Sequence, residues 1–229
     1  SEGGVDLMVC NYVYEHEDRS LLSTIRYKNV FPENQVIGWE DTRAFRPDQY
    51  LTLHSAIYRT EIIRQSGIVL PKHIFYEDNL FVYAPLPLTK KLIYMDEDFY
   101  RYLIGREGQS VSEQVMMKRC THQIEIAERI FDFHDLTVIS AENPKLGRYM
   151  YHEASFMLVI ASAFTRLNRT EEAERQVKAM WDHCYRSHPA MARKMRRNIL
   201  NLGVNLPGRL GRALGLKGYR LAHKIVQFN

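Results

Sequence analysis

The adjacent carboxylates Glu77 and Asp78 stand between aromatic residues, Phe75 and Tyr76 before them and Phe81 after. A carboxylate walled from water by aromatic rings can take a proton from a hydroxyl group, which is general-base chemistry. The rings also offer a flat stacking surface. The same two acids can instead sit in the first turn of a short helix over residues 74–84, where free backbone N–H groups favour negative charge. Those N–H groups are expected to hold the Asp78 carboxylate ionised. His54 and His73 flank the acidic pair in sequence, and either can reach it. A lone histidine packs or faces solvent unless a metal or a carboxylate adjoins it.

Arg106, Gln109 and Ser110 share a loop with Gly105 and Gly108. The planar fork of an arginine can grip a diphosphate through two charged hydrogen bonds. An exposed loop arginine with no ligand fits the same letters. Asp96-Glu97-Asp98 has the spacing of a metal-holding Asp-x-Asp, but it falls between two strand-like runs, residues 91–95 and 98–104. That position reads as a hairpin turn. Neither a His-Glu-x-x-His nor a Gly-rich phosphate loop occurs. Three cysteines, Cys10, Cys120 and Cys184, form no Cys-x-x-Cys unit. They indicate neither a disulfide framework nor a zinc site, and a reducing cytoplasm is the expected compartment.

Stepping outward, residues 5–13 form an apolar run that reads as a buried strand of a parallel or mixed sheet. Residues 15–50 are polar, broken by Pro32, Gly38 and Pro47, and predict a long connecting region. A short strand is expected over 55–58, then a helix over 61–66 capped by Thr60 and stopped by Gly67. Pro71, Pro85 and Pro87 bound a second short helix at 77–84. After Ser112 the apolar spacing turns helical through Met116, Cys120, Ile124, Ala127 and Phe131. Pro144 opens a long helix to about Leu167. Thr170 with Glu171 and Glu172 opens another, ending near His188-Pro189. The expectation is an α/β chain, α+β in layout: a sheet-bearing part over 1–112, then a helical region over 113–229.

With 45% hydrophobic and 25% charged residues, the 229-residue chain has the composition of a globular protein. No run reaches the roughly 18 apolar residues of a membrane span. The net charge of +4 conceals an asymmetry, because residues 186–229 hold ten Lys and Arg and no acid. The remainder carries 21 basic against 27 acidic residues. A basic tail on a mildly acidic body is a signal for an anionic membrane or for nucleic acid, or is simply a solvated face. Aromatic residues do not interleave with it in an RNA-binding pattern, which disfavours nucleic acid.

Four segments carry a resemblance: His54-Ser-Ala-Ile-Tyr-Arg-Thr60, Gly67-Ile-Val-Leu-Pro71, Phe75-Tyr-Glu-Asp-Asn-Leu-Phe81 and Tyr100-Arg-Tyr-Leu-Ile-Gly-Arg106-Glu-Gly-Gln-Ser110-Val-Ser112. Their order and spacing resemble bacterial family-2 glycosyltransferases of the GT-A type, and the opening strand fits the one after that family's donor site. The resemblance covers about residues 5–125. It implies the C-terminal half of a GT-A-like mixed sheet, and transfer of a sugar with inversion from a nucleotide-sugar to a cell-envelope glycan or glycolipid. By the same resemblance Asp78 is the base and Glu77 its helper. Arg106, Gln109 and Ser110 face donor phosphates, and His54 and Tyr76 face the acceptor. The family's nucleotide-binding half and its metal-holding Asp-x-Asp would precede Asp6. The chain is therefore expected to be a fragment, with a divalent metal (Mg or Mn) bound mostly by ligands outside it. The expected location is the cytoplasm, peripheral on the inner face of the membrane. A helical interaction module without catalysis, using the basic tail, is the alternative.

Overall fold

A computed structural model describes residues 4–16, 18, 20–104 and 112–206. The chain divides into two compact units. The first comprises residues 1–72, 77–107 and 136–150, and the second residues 73–76, 108–135 and 151–229. The first unit thus draws a segment from beyond residue 112, and the second draws one from before it.

The first unit is built on a five-stranded mixed sheet of β1 (Leu7–Glu15), β2 (Leu21–Ile25), β3 (Val36–Ile37), β4 (Ala56–Tyr58) and β5 (Leu92–Leu103). The order is β2-β1-β5-β3, with β4 also paired to β1. The apolar run of the sequence becomes β1, paired along both edges, with Leu7, Val9, Cys10, Tyr12 and Val13 buried. It runs parallel to β5 and antiparallel to β2 and β4. One edge of β1 is shared: β4 pairs with Leu7 to Val9, and β2 with Tyr12 to Glu15. Buried Asp6 fixes the start of the sheet. Its carboxylate accepts from the backbone N–H groups of Lys90 (2.8 Å) and Lys91 (2.9 Å) and from Arg59 (2.5 Å).

Three expectations are corrected here. Residues 92–103 form one strand, so no hairpin turn exists at Asp96–Asp98. The extra length is absorbed as an irregularity against β1, where Cys10 pairs with Met95 but Asn11 with Asp98 and Tyr12 with Tyr100. The region 15–50 supplies strands β2 and β3 and a 3-10 turn at Trp39–Asp41, short elements whose pairing partners lie far away in sequence. Helix α1 (Thr60–Gln65) has Arg59 at its N-cap, with no side-chain cap, because Arg59 is held extended by its backbone bond to Asp6 O (2.9 Å). Gly67 does end α1, with φ of 65°. Helix α2 (Glu77–Tyr83) begins only at Glu77, since His73 and Tyr76 have φ of 61° and 72° and cannot be helical.

An aromatic core completes this unit. Phe31, Trp39, Phe45, Tyr94 and Tyr149 interlock, with Phe45 stacked on Tyr149 at 4.2 Å and the Trp39 indole N–H donating to Thr89 Oγ1 at 2.9 Å. Helix α5 (Leu136–Glu142) and the start of α6 (Pro144–Leu167) also belong here.

The second unit is helical: α3 (Glu113–Lys118), α4 (Cys120–Phe133), the rest of α6, α7 (Glu171–Ser187), α8 (Pro189–Arg196) and α9 (Ile199–Val204). Helix α4 packs on α7, the apolar stripe Cys120, Ile126, Ala127, Ile130 and Phe131 meeting Val177, Met180, Trp181 and Cys184. Thr170 caps α7 as expected, its hydroxyl accepting from Ala173 N at 3.1 Å. Nine helices thus occur among the described residues, and none is long and apolar enough to cross a membrane. The three cysteines are free thiols.

Candidate active site

Glu77 and Asp78 occupy the first turn of α2, whose other end docks on the sheet. Tyr58 of β4 donates its hydroxyl to Val82 O at 2.6 Å and packs edge-on against Phe81 at 6.3 Å. Phe81 is therefore part of the helix–sheet contact. Asp78 is half-buried and accepts from the Asn79 side chain at 3.3 Å. Its pKa lies above the ordinary carboxylate value, first because burial strips water from the charge and second because the Glu77 carboxylate adjoins it. The backbone N–H groups of the first turn pull the other way and lose. The helix start thus favours the charged form as expected, but burial and Glu77 outweigh it.

The boundary between the units falls between Tyr76 and Glu77. Tyr76 adopts left-handed backbone geometry, a strained state that costs about 1–3 kcal/mol in a non-glycine residue. Phe75 is tied into the helical unit: the Arg119 guanidinium lies 3.4 Å over its ring, and its backbone N–H donates to His122 Nδ1 at 3.2 Å. Exposed His73 shares the left-handed geometry of Tyr76.

His54 sits in a box of tyrosines. Ring centroids of Tyr12, Tyr100 and Tyr102 lie 5.3, 4.9 and 4.6 Å from the imidazole, and Tyr14 meets Tyr102 at 5.6 Å. These tyrosines come in cross-strand pairs, Tyr12 opposite Tyr100 and Tyr14 opposite Tyr102, so one face of the parallel β1–β5 pair is tiled with rings near its carboxyl end. That end is where open α/β sheets characteristically bind ligands. Burial drives the His54 pKa down to about 4, so the ring is neutral at physiological pH. Its Nδ1 is buried without a hydrogen-bond partner among the described residues. Burial also pushes up the phenols of Tyr12 and Tyr14, which stay protonated. Tyr100 is 44% exposed, giving the box an open side. Such a surface stacks rings and offers neutral polar tips, but holds no charge. No hydrogen bond among the described residues joins His54 to Asp78.

Beside the box lies a network that sequence reading missed. Asn11 Nδ2 donates to Asp96 (2.7 Å) and Asp98 (3.2 Å), while Arg26 donates to Asp96 (2.7 Å) and Asp98 (3.3 Å). The Tyr94 hydroxyl, 2.6 Å from Asn11 Oδ1 and 3.0 Å from Asp96, closes the ring of contacts. The Asp96 pKa falls to about 2 because Asn11 and Arg26 bond its charged form. With Arg26 across it, the acidic triplet does not fit a divalent cation. Among the described residues no group of three His, Cys, Asp or Glu side chains is placed to hold a metal ion. Nothing in the letters pairs Arg26 with residues 70 positions away. The tyrosine tiling did have a signal, the spacing of two in Tyr12/Tyr14 and Tyr100/Tyr102.

Arg106, Gln109 and Ser110 lie outside the described residues. Comparison with protein-family models, with curated proteins and with solved structures finds no match.

Proposed function

We propose that this chain carries the acceptor side of a GT-A-like inverting glycosyltransferase, moving a sugar from a nucleotide-sugar to a cell-envelope glycan or glycolipid. The observation that carries the reading is Asp78, a half-buried carboxylate whose pKa burial and Glu77 both raise toward working pH. A base is most effective when its pKa lies near the pH at which it acts. The sequence resemblance and the mixed sheet support the same assignment.

In this mechanism the acceptor hydroxyl oxygen attacks the anomeric carbon and its proton passes to an Asp78 oxygen. The bond from that carbon to the diphosphate breaks, its electron pair leaving with the nucleoside diphosphate, and the configuration inverts. Glu77 raises the basicity of Asp78 by like charge. His54 and the tyrosine box bind a sugar ring by stacking and through neutral polar tips, with Tyr76 a further acceptor contact. Arg106, Gln109 and Ser110 are assigned to the donor phosphates. A divalent metal on the diphosphate belongs to the same reading, with ligands outside the residues described above. The basic region from Arg186 onward favours contact with an anionic membrane, where lipid-linked acceptors lie.

The test is release of nucleoside diphosphate, by this chain together with the nucleotide-binding half that the reading requires, from a panel of UDP-, GDP- and dTDP-sugars in the presence of an envelope glycolipid extract. Asp78→Asn should lower turnover by about 10²-fold or more, the range of general-base catalysis. A near-wild-type rate would remove Asp78 as the base.

A further inference from the structure

The helical unit contains a cleft of about 330 Å³ at the junction of α7, α8 and α9. We propose that this cleft, framed by Tyr185, Arg193, Arg196, Arg197, Leu202 and Leu206, binds the phosphate of a membrane phospholipid, with the leucines set among its acyl chains.

Among the described residues no carboxylate pairs with the three arginines that frame the cleft. Arg196 is fixed, donating to Asn201 O (3.2 Å) and Asn205 O (3.1 Å) and lying 5.1 Å from the Trp181 ring centroid, yet all these partners are neutral. The charged group that acts on it most is another guanidinium, Arg166, which is itself paired to Glu174 at 3.1 Å. Burial and that like charge both weaken the hold of Arg196 on its proton, the condition an incoming anion relieves. Arg193 and Arg197 are exposed and form no ion pair among the described residues. No Asp or Glu occurs from Arg186 to the end of the sequence. Three guanidinium forks around one cavity suit phosphate oxygens better than point charges would.

The apolar rim selects the source of that phosphate. On α9, Ile199 is 81% exposed and Leu202 46%, three residues apart on one face, and Leu206, just beyond the helix end, is 38% exposed beside the cleft. Basic residues at the end of α8 complement its helix dipole, which accounts for Arg193 and Arg196 but not for exposed aliphatic side chains. Basic and apolar groups side by side are the pattern of an interfacial helix. A soluble phosphate has no use for the leucines.

This inference deepens the membrane part of the proposed function and is independent of the transfer chemistry, so Asp78→Asn should bind vesicles as the wild type does. The experiment is sedimentation of the full chain with phosphatidylcholine vesicles containing about a third phosphatidylglycerol, an anionic surface that attracts each nearby Lys or Arg. Arg193→Gln/Arg197→Gln should weaken binding about tenfold more than Lys217→Gln/Arg220→Gln, which removes the same charge from the tail. Equal losses would overturn the cleft in favour of diffuse attraction. Leu202→Gln should weaken vesicle binding while leaving any uptake of inorganic phosphate unchanged. Unaltered vesicle binding by that variant would overturn the lipid as the source. Superimposable circular dichroism melts confirm that the variants fold.

Discussion

Two ionisable side chains in the sheet-bearing unit answer acid in the same direction but over different ranges. His54 has a folded pKa of about 4 against 6.5 in the unfolded chain, so the unfolded state binds its proton first. Stability from this group is complete above pH 6.5 and drains away as pH falls to about 4. We expect a loss on the order of 2 kcal/mol, after allowing for partial solvent exposure, and His54→Phe should flatten urea-denaturation midpoints over that window. Asp96 behaves likewise lower down: its contribution is full above 3.8 and lost as pH falls through about 2. Arg26→Gln should shrink this second step and leave the first intact. Asp78 has the opposite sign. Its raised pKa makes the charged form a burden at neutral pH, so Asp78→Asn should raise the melting temperature even as it removes the base. Glu77→Gln deletes one of the two causes of that shift. It should therefore move the acidic limb of kcat/KM to lower pH, and an unmoved limb would separate Glu77 from the base.

At the level of elements, Asp6 does most to join strand to strand. Its carboxylate holds the β5 entry through two backbone N–H groups and the β4 exit through Arg59. Asp6→Ala should cost about 3 kcal/mol in urea unfolding, the scale of breaking a buried ion pair, with Asp6→Asn recovering part of it. Elements with dense local patterns were legible in the letters: β1 from its largely apolar run, interrupted by Asn11, α6 from Pro144, α7 from Thr170 and its trailing acids. The register of β5 was not, because the irregularity at Asp96–Asp98 is fixed by Asn11 and Arg26, whose approach depends on pairing across most of the unit. The 74–84 alternative for α2 began three residues early for a related reason, whereas the 77–84 reading had its start. His73 and Tyr76 are poor left-handed residues, and only tertiary constraint holds them there. Of the candidate site, the acidic pair and the Tyr-x-Tyr could be picked out by type, whereas the His54 box emerged only when β1 lay beside β5.

Across the whole molecule, ten cationic residues after position 185 are set against a body with six more acids than bases. Vesicle binding should therefore weaken steeply as salt rises, since the screening length contracts from about 10 Å at 0.1 M to about 3 Å at 1 M. Titrating sodium chloride into the sedimentation assay checks this, and the binding left at high salt measures the aliphatic share. The sheet carries a separate consequence. Between the pairings Cys10–Met95 and Tyr12–Tyr100, β1 advances two residues and β5 advances five. Side chains alternate in sidedness along a strand, so losing a single residue such as Glu97 would invert every ring downstream while leaving Leu92 and Tyr94 seated. The kink thus works as an adjustable joint: lineages could lengthen or shorten it in steps of two and re-aim the tyrosines without disturbing the interior, whereas single steps would turn that surface inside out.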